Sequence, residues 1–146
     1  MGKQNIAVTA DSVIFFRKGR EEKVLLVQRG TSPFAGQWAL PGGFLKDEER
    51  LEDGARRELE EETGLKVNEL HQLRAFDTPG RDPRGRTISI PFYGEVDSEG
   101  KVKGADDAAK AEWFNLNELP ELAFDHDQIL ELAVWKYKKK RKETDY

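Results

Sequence analysis

The sequence predicts an α/β (α+β) protein in which one mixed β-sheet is sandwiched by helices, all within a single domain covering residues 1–146. Three observations lead there. Runs rich in β-branched and aromatic residues recur along the chain. One acidic amphipathic helix interrupts them midway. A second helix with an apolar side closes the chain. A length of 146 residues suits one domain with a sizeable core.

In chain order, residues 6–17 read as a strand and residues 18–22 as a turn. Residues 23–29 are a second strand, apolar enough to be central, so the pair forms a hairpin. Residues 30–37 are a loop punctuated by Pro33 and Gly36. Residues 38–40 are a short strand leading into Pro41-Gly42-Gly43, a tight turn whose carbonyls are expected to face the helix acids. After the helix, residues 66–78 read as a strand with a bulge, and residues 79–85 as a loop. Residues 86–96 are a strand in which Pro91 indicates an edge or a bulge. Residues 97–107 are a polar turn region and 111–116 a last strand. Asp125 is the expected N-cap of a helix running to about Lys142.

The midway helix carries the chemistry. Residues 43–65 hold nine acids beside Arg50, Arg56 and Arg57. Asp47, Glu48 and Glu49 put negative charge where a helix N-terminus favours it, and Gly64 stands where a left-handed residue would end the helix. Glu58, Glu61 and Glu62, at i, i+3 and i+4, share one stripe. Leu51, Ala55 and Leu59 form an overlapping apolar stripe. The helix thus lays its apolar side on a core and holds three carboxylates along the edge of that contact. Their repulsion calls for a cation; an arginine could serve, but clustered hard oxygens beside a cleft suit Mg²⁺ or Mn²⁺. Gly54, costly inside a helix, would let another backbone segment pass close by. A solvated acidic face would explain the carboxylates but neither Gly54 nor the glycine turn.

Gly43, Glu49, Arg57-Glu58-Leu59, Glu61-Glu62, Gly64 and Leu65 resemble, at every fixed position, the Nudix box: glycine, five residues, glutamate, seven residues, then R-E-U-x-E-E-x-G-U, with U a bulky aliphatic. The rest of the chain resembles a Nudix domain as well. The resemblance implies an α/β/α sandwich and hydrolysis of a nucleoside diphosphate linked to another moiety. It implies metal on Glu58, Glu61 and Glu62 with the Gly42 carbonyl, and Glu58 orienting or deprotonating the water. Arg57 and Glu49 become an ion pair that places Glu58, and Gly43 and Gly64 are structural. Asp106 and Asp107 lie where some relatives put a further acid or base; the alternative is a solvated turn.

Substrate choice must come from outside the box. Arg81, Arg84 and Arg86 stand on a proline- and glycine-stiffened loop, a receptor for phosphate oxygens. That loop and residues 32–43 resemble ADP-ribose pyrophosphatases of the family, which implies ADP-ribose cleaved to AMP and ribose 5-phosphate. Arg29 is a further phosphate contact. Phe76, Phe92 and Tyr93 are core residues or an adenine platform, and His71 and His126 read as structural. Two alternatives stand beside this reading: a pyrophosphatase cleansing damaged nucleoside triphosphates, and a non-catalytic ADP-ribose-sensing module.

Composition narrows the classes. The chain has no cysteine, which removes disulfides, thiolate metal sites and a thiol nucleophile. A net charge of −4 speaks against a nucleic-acid binder held by phosphate contacts. No signal peptide or membrane-length apolar run is read, so a cytoplasmic protein is expected. The basic run from Lys136 to Lys142 complements a helix C-terminus. Many ADP-ribose hydrolases of the family are dimers, so a homodimer fits the resemblance.

Overall fold

The computed structural model describes residues 2–102 and 108–144. Their elements, in order, are β1 (Ala7–Lys18), β2 (Glu21–Arg29), β3 (Trp38–Ala39), β4 (Gly42–Phe44), α1 (Leu51–Thr63), β5 (His71–Gln72), β6 (Thr87–Val96), β7 (Ala108–Asn115) and α2 (His126–Thr144). The sheet is mixed: β1 and β6 run parallel, while the other pairs are antiparallel.

The sheet is organised around a splayed hairpin. β1 and β2 pair only near their turn, from Phe15↔Val24 to Lys18↔Glu21. Gly19, at φ 62°, supplies the left-handed residue which that two-residue turn requires. Further out the strands separate. The end of β2 pairs with β3, and the start of β1 pairs with β4. Residues 38–44 therefore fill the gap, and the Ser12 amide donates to the Pro41 carbonyl at 2.8 Å where they cross. This wedge brings Gly42 and Gly43 beneath α1.

Both faces of the sheet are buried because both alternations of the central strands are apolar. Val13, Phe15, Val24, Leu26 and Tyr93 meet Ile129, Leu130, Ala133 and Tyr137 of α2. Ile14, Leu25, Val27 and Phe92 meet Ala55 and Leu59 of α1. The Phe15 and Tyr137 rings stack at 4.2 Å. Leu59 is 1% exposed. Leu59→Ala is expected to cost about 2–5 kcal/mol in urea unfolding, and the half-buried Leu51→Ala markedly less.

Four expectations about elements are corrected. The helix starts at Leu51, not at residues 47–49. Arg57 captures the Glu49 carboxylate, which also accepts the Lys46 amide at 3.1 Å, so these acids form the preceding turn. Residues 66–78 are mostly irregular, with β5 only Gln72 and His71 long. Of their buried residues, Val67 and Leu70 join the cluster under α1 and Leu73 and Phe76 the cluster under α2, so each cluster takes a pair three apart, a spacing that a pleated strand would send to opposite faces. Pro91 is interior, since β6 lies between β1 and β5. It is tolerated because it faces the irregular stretch, whose Leu73 amide donates to the Pro91 carbonyl at 2.8 Å. Residues 42–44 form a strand rather than a turn, and the Gly42 amide donates to the Glu62 carboxylate at 3.4 Å. No helix among the described residues is long and apolar enough to cross a membrane.

Candidate active site

Helix α1 ends cleanly. Gly64 adopts φ 78° and donates its amide to the Glu60 carbonyl at 2.8 Å, while the Thr63 hydroxyl donates to the Leu59 carbonyl. This fixes the register that turns Glu58 and Glu62 toward β4. A Cβ on Gly43 would lie 2.7 Å from the Glu58 carboxyl, and one on Gly42 would collide with the Asp11 carboxylate. The two glycines thus let acids press on β4 from α1 and from β1. Gly54 has a related use, though a side chain rather than a backbone approaches it. A Cβ there would strike Leu45 and come within 3.0 Å of the Glu49 carboxylate.

Arg57 organises the acids. Its Nε and Nη2 donate to Glu49 at 2.6 and 2.9 Å, and its Nη1 donates to Glu58 at 2.8 Å and Glu61 at 3.1 Å. Nη2 also reaches the Phe44 carbonyl at 3.2 Å. The Arg57 bond holds the Glu49 carboxyl down to about 2. Glu62 lies apart from this fork, accepting the Gly42 amide at a long 3.4 Å. Burial, and then the neighbouring Glu58 charge, push the Glu62 carboxyl well above the usual range.

Glu58, Glu62, Gly42 and Gly43 line a cavity of about 310 Å³. Glu61 is off its wall, with a side chain 43% exposed and turned to Arg57. Among the described residues no three acids or histidines already stand in a metal-holding group. The donor set nevertheless fits a hard divalent ion. Two half-buried carboxylates crowd each other, a backbone strand adjoins them, and Glu62 makes no ion pair among the described residues.

The arginines divide. Arg29 and Arg84 line the cavity. The Arg84 fork binds Asp82 at 2.8 and 3.1 Å and stacks over Phe44 and Phe124, 4.7 and 5.4 Å from their centroids. Arg29 lies 5.1 Å over the other aromatic wall, Phe124. Arg81 also touches the cavity, but its guanidinium is already engaged. It forks onto Asp125 at 2.6 and 2.9 Å, with a side chain only 4% exposed. Asp125 therefore spends its carboxylate on Arg81 instead of capping α2. Arg86 points elsewhere and donates to the Asp77 carbonyl. Asp106 and Asp107 lie outside the described residues.

Other cavity residues escaped the sequence reading. Phe76, Phe92 and Tyr93 are core residues, 4%, 2% and 8% exposed, so the aromatic rim is Phe44 and Phe124 instead. Phe124 holds φ 55° and packs edge-on to Phe34, itself at φ 62°. Asp11 reaches the cavity floor from β1. His126 does the same from the start of α2, where its Nδ1 accepts the Leu40 amide at 3.0 Å. The one available signal was a polar residue in an apolar setting: Asp11 interrupts a strand that is otherwise buried and mostly apolar.

Comparison with known proteins agrees with this geometry. The NUDIX domain model matches residues 7–133. The chain is 45% identical over 131 residues to an ADP-ribose pyrophosphatase of Methanocaldococcus jannaschii, covering 89% of this chain and 75% of that protein. It is 30% identical over 141 residues to the ADPR responsive transcriptional repressor NtrR of Acinetobacter baylyi, covering 94% of this chain but only 56% of the repressor. Its fold superposes on the NUDIX domain of Shewanella oneidensis NrtR, solved with ADP ribose, with a TM-score of 0.86 and 31% identity over 92% of this chain and 90% of that one. The nine box positions gathered on α1 and its flanks, and a family match spanning both faces of the sheet, have one explanation: the chain belongs to the NUDIX domain family.

Proposed function

We propose that this protein hydrolyses the pyrophosphate bond of ADP-ribose, giving AMP and ribose 5-phosphate, with Mg²⁺ or Mn²⁺. The observation that carries this is one cavity joining the Glu58 and Glu62 carboxylates to the Arg29 and Arg84 guanidiniums beneath an aromatic rim. The ADP-ribose named for the archaeal relative and for the NrtR domain supports the choice of substrate.

Glu58 and Glu62 would hold the ion, with the Gly42 carbonyl beside them and Glu61 joining by turning away from Arg57. Such an ion neutralises phosphate oxygens and makes a bound water nucleophilic. The chain's own residues do the rest. Arg57 fixes one oxygen of Glu58, and the carboxylate, pressed against Gly43, would orient the attacking water. Arg29 and Arg84, held over the Phe44 and Phe124 rings, would hold the diphosphate in line. The water oxygen bonds to one phosphorus, and the bridging oxygen leaves with the other phosphate.

Arg84→Ala is expected to raise KM for ADP-ribose by about ten- to a hundredfold while changing kcat little, as for loss of uniform binding. Steady-state kinetics on ADP-ribose and on ADP test this. Because both carry the diphosphate, KM should rise for both, and an unchanged KM would remove Arg84 from the diphosphate contact. Tight ADP-ribose binding with no metal-dependent turnover would instead favour a sensing module, the role named for the repressor relative.

A further inference from the structure

The cavity has two unlike ends. Its rim is open: Phe44 is 41% exposed and the Arg84 side chain 39%. Its floor is buried and polar, with Asp11 and His126 each 5% exposed. Asp11 Oδ2 accepts the Thr9 hydroxyl at 3.0 Å and the Ser89 hydroxyl. Oδ1 lies against the Cα side of Gly42, where no Cβ intrudes, and accepts no hydrogen bond among the described residues. His126 spends Nδ1 on the Leu40 amide, so the neutral ring carries its proton on Nε2. Burial keeps the imidazole below its usual pKa and hence neutral near pH 7.

The floor therefore pairs a carboxylate acceptor with an imidazole N–H donor. A sugar diol matches both: one hydroxyl donates to the carboxylate, and its neighbour accepts from the ring. Acidic side chains bind ribose hydroxyls in this way in other nucleotide sites. A phosphate at the same place would meet the Asp11 charge, while the nearby Arg81 cation is already neutralised by Asp125, and an adenine would set an apolar face against it. We propose that Asp11 and His126 form a subsite for the hydroxyls of the terminal ribose, and that the same carboxylate disfavours the third phosphate of a nucleoside triphosphate. This rests on the reading of the cavity as a pyrophosphatase site and goes beyond it by assigning which residues recognise the sugar.

The test is inhibition of ADP-ribose turnover by ribose 5-phosphate, 2-deoxyribose 5-phosphate and AMP, at saturating Mg²⁺. In the unmodified protein, ribose 5-phosphate should inhibit about tenfold more tightly than the 2-deoxy sugar, since a site built for a hydroxyl is left unpaired by its loss. Asp11→Asn should weaken ribose 5-phosphate about tenfold and bring the two sugars within about twofold of each other, with AMP inhibition and the Mg²⁺ requirement unchanged. His126→Asn offers an oxygen near the Nδ1 position for the Leu40 amide while removing the Nε2 donor, and should also erode the preference. Equal inhibition by both sugars in the unmodified protein would overturn the subsite, whatever the variants do. So would an Asp11→Asn effect that falls equally on AMP or on the metal requirement. Absence of any ADP-ribose turnover would remove the underlying reading; turnover without sugar discrimination would remove the subsite alone.

Discussion

Replacing Glu62 by Gln should lower kcat for ADP-ribose by about a thousandfold or more, the scale at which removal of one preorganised electrostatic partner is felt, while the fold survives. The two side chains have nearly the same shape, so packing against Gly42 is kept. Burial and the adjacent Glu58 charge both oppose ionisation of Glu62 in the metal-free protein. Replacing the carboxyl by a neutral amide therefore leaves the metal-free fold at least as stable, and the melting temperature in EDTA should hold or rise. Added Mg²⁺ should raise the melting temperature of the unmodified protein and not of the variant. Activity within a few-fold of normal would make Glu62 a bystander.

Arg57→Ala should be costly in a different way. Its fork serves Glu49, Glu58, Glu61 and the Phe44 carbonyl at once. The Glu49 and Glu58 side chains, 13% and 16% exposed, would lose the partner that compensates their burial. A stability loss of about 3 kcal/mol and a kcat loss of about a hundredfold are expected, because Glu58 is misplaced rather than deleted. Arg57→Lys should rescue little, since an ammonium cannot reproduce the fork. The pH dependence has a definite sign. The Glu49 carboxyl is depressed from 4.5 to about 2, so its pairing stabilises the fold above pH 4.5 and is lost as pH falls through about 2. The stability gap between Arg57→Ala and the unmodified protein should therefore narrow in acid. A gap independent of pH would contradict the ion-pair account.

The box helix was legible because its information is local. Glu58, Glu61 and Glu62 share a face by helical spacing alone, Gly64 marks the stop, and Leu59 marks the buried side. The hairpin was legible for the same reason. What failed was non-local. Composition shows Arg81 as a cation on a loop; only the fold brings Asp125, 44 residues later, onto its guanidinium. Phe44 and Phe124 look no more like a rim than Phe76 or Phe92 until the splayed hairpin opens the gap that residues 38–44 fill. Asp11 and His126 acquire meaning only once β1, β4 and α2 meet at one floor.

The central claim joins a metal-dependent pyrophosphatase to a nucleoside diphosphate sugar. The most direct measurement is phosphate release, with added phosphatase, from ADP-ribose, NADH, diadenosine polyphosphates and 8-oxo-dGTP, each with Mg²⁺, Mn²⁺ or EDTA. The account predicts turnover abolished by EDTA and a kcat/KM highest for ADP-ribose. A preference for 8-oxo-dGTP would contradict the substrate assignment, and turnover unaffected by EDTA would contradict the chemistry assigned to Glu58 and Glu62.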